Sequence, residues 1–181
     1  MPRAPRVLEA GAIYHVMCRG NRKQPIFLAD GDHVLFLERC RKVFVRRSWI
    51  VHSYCLMPNH YHLVLETPSA DLSAGMQEIN GAYAQWFNRN HGFVGHVFQG
   101  RFKAVIVESD GHLLHLTRYI ATNPSRAGLC STPALWPWSS YTNLVSDAPG
   151  PLPFSSKLIS FFGQDEQRAR VALRQFVEDV P

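Results

Sequence analysis

Two histidines separated by one residue, His60 and His62, are the side chains of this sequence best suited to chemistry. They follow a Pro58-Asn59 turn and begin a stretch whose alternating pattern predicts a β-strand. On a strand, residues i and i+2 point to the same face, so both imidazoles are expected side by side. Two adjacent imidazoles form half of a divalent metal site. A His-x-His pair also occurs by chance, and the two histidines are then ordinary sheet residues.

A helix predicted at residues 111–123 carries a second group of polar side chains. At about 100° per residue, its leucine and isoleucine positions form a broad apolar side. A narrow polar stripe lies beside that side and contains His112, His115, Tyr119 and Asn123. Tyr119 and Asn123 are spaced i, i+4 and therefore project together. We expect the apolar side to dock on a sheet and the polar stripe to face the two histidines.

The elements that must position these residues follow the order β-α-β-β-α-β. The strands are predicted at residues 13–19, 49–56, 60–66 and 102–107, and the helices at residues 31–47 and 71–90. This order is the ferredoxin-like split pattern, an antiparallel sheet with two helices on one face. The sequence therefore predicts an α+β fold in which the helix at 111–123 is added to the other face.

Particular residues also predict the ends and buried faces of the helices. Asp30 and Asp32 are N-cap candidates for the first helix, and Val34 belongs to its buried stripe. Asp110 is the predicted N-cap of the third helix, and Pro124 is its predicted end.

The sequence changes character after Gly128. An aromatic, proline-containing segment at residues 136–141 precedes a linker rich in proline and glycine at 148–153. Helical patterns follow at residues 155–162 and 164–179. We therefore divide the chain into a catalytic domain at 1–130 and a small C-terminal aromatic and helical extension at 131–181.

Composition indicates a globular cytoplasmic protein. The 181 residues are 46% apolar and 18% charged, which suits one domain with a sizeable core. No apolar run approaches the roughly 18 residues that span a bilayer, so no membrane association is expected. The four cysteines lack C-x-x-C spacing, which argues against a zinc ribbon and for reduced thiols.

Positive charge is concentrated near the start of the chain. The net charge is +5, and residues 1–50 contain ten Lys/Arg against four Asp/Glu. Such an excess is typical of a protein with a polyanionic partner, usually nucleic acid. A basic, solvated first helix explains the same charge without any partner.

Three motifs resemble the single-tyrosine HUH transposases, the IS200-like family. They are residues 57–64 (MPNHYHLV), 100–103 (GRFK) and 118–129 (RYIATNPSRAGL). The branch that they look closest to is the REP-associated tyrosine transposases, domesticated relatives that act on palindromic repeats in bacterial chromosomes. The likeness extends from about Gly11 to Tyr141, and nothing is carried over to the final forty residues.

The resemblance implies a metal-dependent enzyme that cleaves and rejoins single-stranded DNA beside a hairpin, through a 5′-phosphotyrosine intermediate. It implies Mg²⁺ or Mn²⁺ as cofactor and a location at the bacterial nucleoid. By position, His60 and His62 match the metal ligands and Tyr119 matches the nucleophile. Asn123 matches the polar position that can complete the metal site.

The residue types suit this chemistry. A phosphodiester is attacked when its charge is neutralised and the nucleophile is held in line. Histidine is less usual for Mg²⁺ than carboxylate, which favours Mn²⁺. The phenol of Tyr119 needs a base or a cationic neighbourhood, and His115 is a candidate general base. His115 is otherwise an exposed or DNA-facing histidine. Glu66 and Glu108 are the alternative third metal ligands.

We expect the partner to be single-stranded DNA with hairpin structure, bound by a monomer or a homodimer. The predicted DNA contacts are Arg3, Arg6, His15, Arg19, Arg22, Lys23, Arg101, Lys103, Arg118 and Arg126. One alternative is a non-catalytic module that binds single strands through sheet aromatics, as the RNA-recognition fold does. A replication-initiator or relaxase type of HUH nickase is another. A hydrolase that uses metal-activated water is a third, but the sequence offers no acidic cluster for it.

Overall fold

A four-stranded antiparallel sheet lies at the centre of the structure, a computed structural model that describes residues 8–146 and 148–179. Its strands are β1 (Ala12–Arg19), β2 (Ile50–Met57), β3 (His60–Thr67) and β4 (Lys103–Ile106). They are ordered β2-β3-β1-β4, and each neighbouring pair is antiparallel. With one helix between β1 and β2 and another between β3 and β4, this is the predicted ferredoxin-like α+β fold. That prediction is confirmed.

One face of the sheet is covered by α1 (Asp30–Arg47) and α2 (Leu72–His91). Strand alternation turns Tyr61, Leu63 and Leu65 of β3 toward these helices, and all three are fully buried. They belong to a large apolar core that also contains Phe36, Phe44, Met76, Ile79 and Tyr83. This face therefore packs like an ordinary protein interior.

The other face is covered by α3 (Asp110–Arg126) together with C-terminal helices. These helices are α4 (Tyr141–Ser146), α5 (Lys157–Ser160) and α6 (Glu166–Glu178). A second apolar core forms between them and includes Val64 of β3, Leu113, Ile120, Tyr141 and Leu173. The predicted C-terminal helices are thus present. The division at residue 130 stays a prediction, although residues on both sides of it share this core.

The aromatic segment before α4 covers β2, one of the two edge strands of the sheet. Its backbone bonds to β2, with the N–H of Leu56 donating to the carbonyl of Trp138 (2.9 Å) and the N–H of Ser140 donating to the carbonyl of Tyr54 (3.0 Å). Farther along, the N–H of Val51 donates to the carbonyl of Pro153 (3.0 Å). An open edge strand is a template for unwanted pairing, so this cover protects β2.

The start of α1 differs from the prediction. Ala29 occupies the N-cap position, and the carboxylate of Asp32 accepts the backbone N–H groups of Leu28 (2.6 Å) and Ala29 (3.1 Å). Asp32 therefore caps the helix from within its first turn. Val34 is 48% exposed, so its assignment to the buried stripe was wrong.

Both ends of α3 also differ from the prediction. Its N-cap is Ser109, whose hydroxyl accepts the N–H of His112 at 3.1 Å. The helix continues past Pro124 to Arg126. A proline removes one backbone donor, and near the end of a helix that loss is small enough for packing to compensate.

No helix among residues 8–146 and 148–179 combines the length and the apolar character required to cross a membrane.

Candidate active site

The strand register groups polar side chains on the sheet face that α3 covers. Met17 and Arg19 of β1 lie directly opposite His62 and His60 of β3. The two imidazoles point to the same side, with ring centroids 5.0 Å apart. Tyr61 points to the other side, where its hydroxyl donates to the side-chain oxygen of Asn80 at 2.8 Å.

Helix α3 brings two more polar side chains to His62. The amide nitrogen of Asn123 lies 3.2 Å from Nε2 of His62. The ring of Tyr119 meets the same imidazole edge to face, with centroids 5.8 Å apart. Tyr119 is 45% exposed, whereas Ile120 beside it is fully buried in the second core. The apolar side of the helix therefore fixes the position of its polar stripe.

Both histidines of β3 use Nδ1 for a contact within the protein. Nδ1 of His60 lies 2.7 Å from Oδ1 of Asn59, and Nδ1 of His62 lies 2.9 Å from Nε2 of His15. An amide oxygen can only accept, so Nδ1 of His60 carries the proton and its Nε2 keeps a lone pair. That is the tautomer in which Nε2 can bind a cation.

Burial keeps these imidazoles uncharged at neutral pH. It lowers the pKa of His60 to about 4, and the positive charge of Arg19 acts in the same direction. Burial lowers the pKa of His62 to about 3, with smaller contributions from His60, His15 and Arg19. The pKa of His15 falls to about 4 through burial and the nearby His112. Neutral imidazole is the form that coordinates metals.

The donor set suits one divalent cation. Two neutral imidazoles on one face would hold the cation, and the amide group of Asn123, whose nitrogen lies 3.2 Å from Nε2 of His62, would add its side-chain oxygen. Residues 8–146 and 148–179 contain no group of three His, Cys, Asp or Glu placed to hold a metal. Glu66 instead contacts Nε2 of buried His52 at 3.0 Å.

A basic cavity opens beside the two histidines. Its volume is about 440 Å³, and three cationic side chains line it: Arg19, Arg101 and Lys103. A second cavity of about 850 Å³ lies beside Tyr119 and is lined by His115, Arg118 and Arg126. The first cavity is suited by charge to a polyanion, whereas the second is lined by Glu178 and Asp179 as well as by its two arginines.

Comparison with known proteins places the chain in a family. A family model described as transposase IS200 like matches residues 10–123, more than half of the sequence. The chain belongs to the IS200-like transposase family. The matched segment contains all of the side chains that meet at His62, and the family predicted from the sequence motifs is confirmed.

One solved structure shares the fold of this IS200-like protein, and a second one resembles it less. The structure of a REP-associated tyrosine transposase bound to a REP hairpin superposes with a TM-score of 0.67 at 20% identity, covering 86% of this chain and 92% of the other. A candidate transposase from Deinococcus radiodurans R1 gives 0.46 at 17% identity over 66% and 95% of the two chains. No curated protein sequence matches the chain significantly.

Two of the residues predicted to contact DNA also make contacts within the IS200-like chain. His15 is only 9% exposed and lies against His62. The guanidinium of Arg118 donates to the carbonyl of Asp179 at 2.7 Å and lies 5.4 Å from the ring centroid of Phe176. These contacts give both side chains a structural role, and their contacts with DNA stay predictions.

The other predicted DNA contacts fall into three groups. Arg19, Arg101 and Lys103 line the first cavity, and Arg126 lines the second. Arg22 and Lys23 are exposed in a short 3₁₀ turn, Asn21–Lys23. Arg3 and Arg6 lie outside the described residues. His115, the candidate base, is exposed and shares the second cavity with Tyr119. All of these roles stay predictions.

Sequence reasoning missed two partners of the site histidines. From the sequence alone, Asn59 is predicted only to form a turn, and His15 only to face DNA. The signal for Asn59 was its place next to His60 at the turn. The signal for His15 was weaker, because its contact with His62 is a diagonal one between strands whose register was unknown.

Proposed function

We propose that this protein is a REP-associated type of transposase that cleaves and rejoins single-stranded DNA beside a hairpin. In this proposal Tyr119 is the nucleophile, and the cation is held by His60, His62 and Asn123. The observation that supports this proposal is the set of contacts around His62. The half-exposed Tyr119 and the amide of Asn123 lie one turn apart on α3, and both contact this histidine.

The proposed roles follow from the side chains. Arg19, Arg101 and Lys103 bind the phosphodiester backbone and orient the strand in the cavity of about 440 Å³. The neutral imidazoles hold Mn²⁺ or Mg²⁺, which when bound withdraws charge from a phosphate oxygen.

Covalent transfer to Tyr119 conserves the bond energy of the broken phosphodiester. The phenolic oxygen forms a bond to phosphorus while the bond from phosphorus to the 3′ oxygen breaks. The leaving 3′ oxygen takes up a proton, and the phenolic proton passes to a base, for which His115 is the candidate. Because a 3′-OH can attack the phosphotyrosine in turn, the same residues rejoin strands.

Hairpin DNA is the proposed substrate for two reasons. The similar transposase of known structure was solved with a REP hairpin. The cavity beside His60 and His62 is lined by three cationic side chains, which suits a strand whose phosphates pass the proposed metal site.

A trapping experiment tests the proposal. Purified protein is mixed with 5′- and 3′-labelled hairpin oligonucleotides carrying single-stranded flanks, in Mn²⁺ or in excess chelator. We expect a denaturant-resistant adduct that forms only with the cation, that carries the label 3′ of the cut and that maps to Tyr119 by mass spectrometry. An adduct on Tyr61 or Tyr141, or hairpin binding without any adduct, would contradict the proposal.

A further inference from the structure

His15 occupies an unusual place for a polar residue. It lies on β1 one diagonal step from His62, on the sheet face under α3, and is only 9% exposed. Its Nε2 is 2.9 Å from Nδ1 of His62, and the two ring planes are 22° apart. This is the geometry of a hydrogen bond between two imidazoles, in which one nitrogen donates and the other accepts.

Only one direction of that hydrogen bond leaves His62 able to bind a cation. If His15 donates, Nδ1 of His62 accepts, and the proton of His62 then sits on Nε2 beside Asn123. If His15 accepts, the proton of His62 sits on Nδ1, and Nε2 has a free lone pair. His60 is already held in the second form by the amide oxygen of Asn59.

We infer that His15 is a positioning residue that accepts a hydrogen bond from Nδ1–H of His62. This bond fixes the tautomer and the ring orientation of His62. His60 and His62 then both direct the lone pair of Nε2 toward the same site. The inference rests on the proposed function for its use of a cation. It assigns His15 no contact with DNA, which separates it from the role expected from the sequence.

The arrangement repeats a common feature of metal sites. A ligating histidine usually donates its other ring N–H to a fixed acceptor, and losing that acceptor costs about 10- to 100-fold in metal affinity. The acceptor is usually a carboxylate or a carbonyl. A neutral imidazole on the neighbouring strand can accept the same proton without adding a negative charge beside the DNA phosphate.

Two substitutions with side chains of similar length distinguish loss of the hydrogen bond from loss of packing. His15→Gln places an amide oxygen where Nε2 stood, and His15→Met places a methyl group there. The affinity for Mn²⁺ is measured without DNA by electron paramagnetic resonance or calorimetry. We expect it to fall about 10- to 100-fold in His15→Met. In His15→Gln it should stay within about threefold of the value for the unmodified protein. His112→Gln is the matched control for a neighbouring imidazole and should leave the affinity unchanged.

Nitrogen-15 NMR of the metal-free protein reads the tautomer directly. His62 should carry its proton on Nδ1 in the unmodified protein and in His15→Gln, and should shift it toward Nε2 in His15→Met. The inference is overturned if His62 has the same tautomer in all three proteins, or if His15→Met binds Mn²⁺ normally. Absence of any Mn²⁺ binding or adduct in the unmodified protein would instead refute the proposed function, and the tautomer would still decide the role of His15.

Discussion

The two faces of the sheet use neighbouring residues of the same strand for different purposes. Tyr61 and Leu63 of β3 face α1 and α2 and are fully buried in an apolar core. His60 and His62 alternate with them and face α3, where each imidazole is paired through Nδ1. A buried polar group is costly unless it has a hydrogen-bond partner. The face toward α1 and α2 therefore packs as an apolar core, whereas the face toward α3 combines a second apolar core with polar groups that are held in a defined geometry at some cost in stability.

Two tyrosines give the strongest test of this division. Tyr119→Phe removes the half-exposed hydroxyl on the α3 face and should abolish the DNA adduct while leaving hairpin affinity and the free energy of unfolding nearly unchanged. Tyr61→Phe removes a hydroxyl that bonds to Asn80 and should lower the free energy of unfolding by about 1 kcal/mol with full activity. Adduct assays and urea denaturation of both variants decide it. Cleavage that persists in Tyr119→Phe would contradict the division between the two faces.

Adjacent residues of β3 give the next test. His62→Ala should abolish Mn²⁺ binding and cleavage while hairpin binding persists. Leu63→Ala should lower the free energy of unfolding by about 2–5 kcal/mol, because it leaves a cavity in the apolar core. Calorimetry with Mn²⁺ and chemical denaturation separate the two effects. Full activity of His62→Ala would remove the metal site from this face.

Acid should affect the histidine face in a defined pH range. Burial lowers the pKa of His60 to about 4 and that of His62 to about 3, whereas an imidazole in the unfolded chain titrates near 6.5. Between these values the unfolded chain binds more protons, so the free energy of unfolding falls as pH is lowered from about 6.5 toward 4. The ring signals of both residues, followed by NMR, should stay constant from pH 8 to 5. Titration of either ring near pH 6.5 would contradict this expectation.

Salt dependence should change by a smaller amount. Arg19→Gln and Lys103→Gln each remove a cation from the cavity beside the histidines. Each substitution should make the plot of log affinity against log salt concentration less steep, by about 0.7 for each single-strand phosphate that the cation neutralised. Arg46→Gln, on the α1 side, removes an exposed cation that pairs with Glu78 and should leave the slope unchanged. Hairpin binding measured at several salt concentrations tests all three variants. Equal slopes throughout would mean that the cavity does not bind the strand.

The local periodicity of the sequence was enough to predict the strands of the sheet and the face of the sheet on which His60 and His62 lie. Alternation alone places His60 and His62 opposite Tyr61, and helical spacing alone groups Tyr119 with Asn123. Contacts between distant segments could not be predicted in the same way. The bond from Arg118 to the carbonyl of Asp179 joins residues 61 positions apart and depends on how α6 docks on α3.

Pro124 shows a different limit of sequence reasoning. A proline usually ends a helix because it lacks a backbone donor. Here α3 continues to Arg126, and the ring of Pro124 is buried. Tertiary packing decided the outcome at that position, and the metal-ligand and DNA-contact roles of the site residues stay predictions for experiment.

The position of α3 also has a consequence for stoichiometry. The helix docks on the sheet of its own chain, so the histidines, the amide and the tyrosine all belong to one polypeptide. A second copy would duplicate this set of side chains rather than complete it.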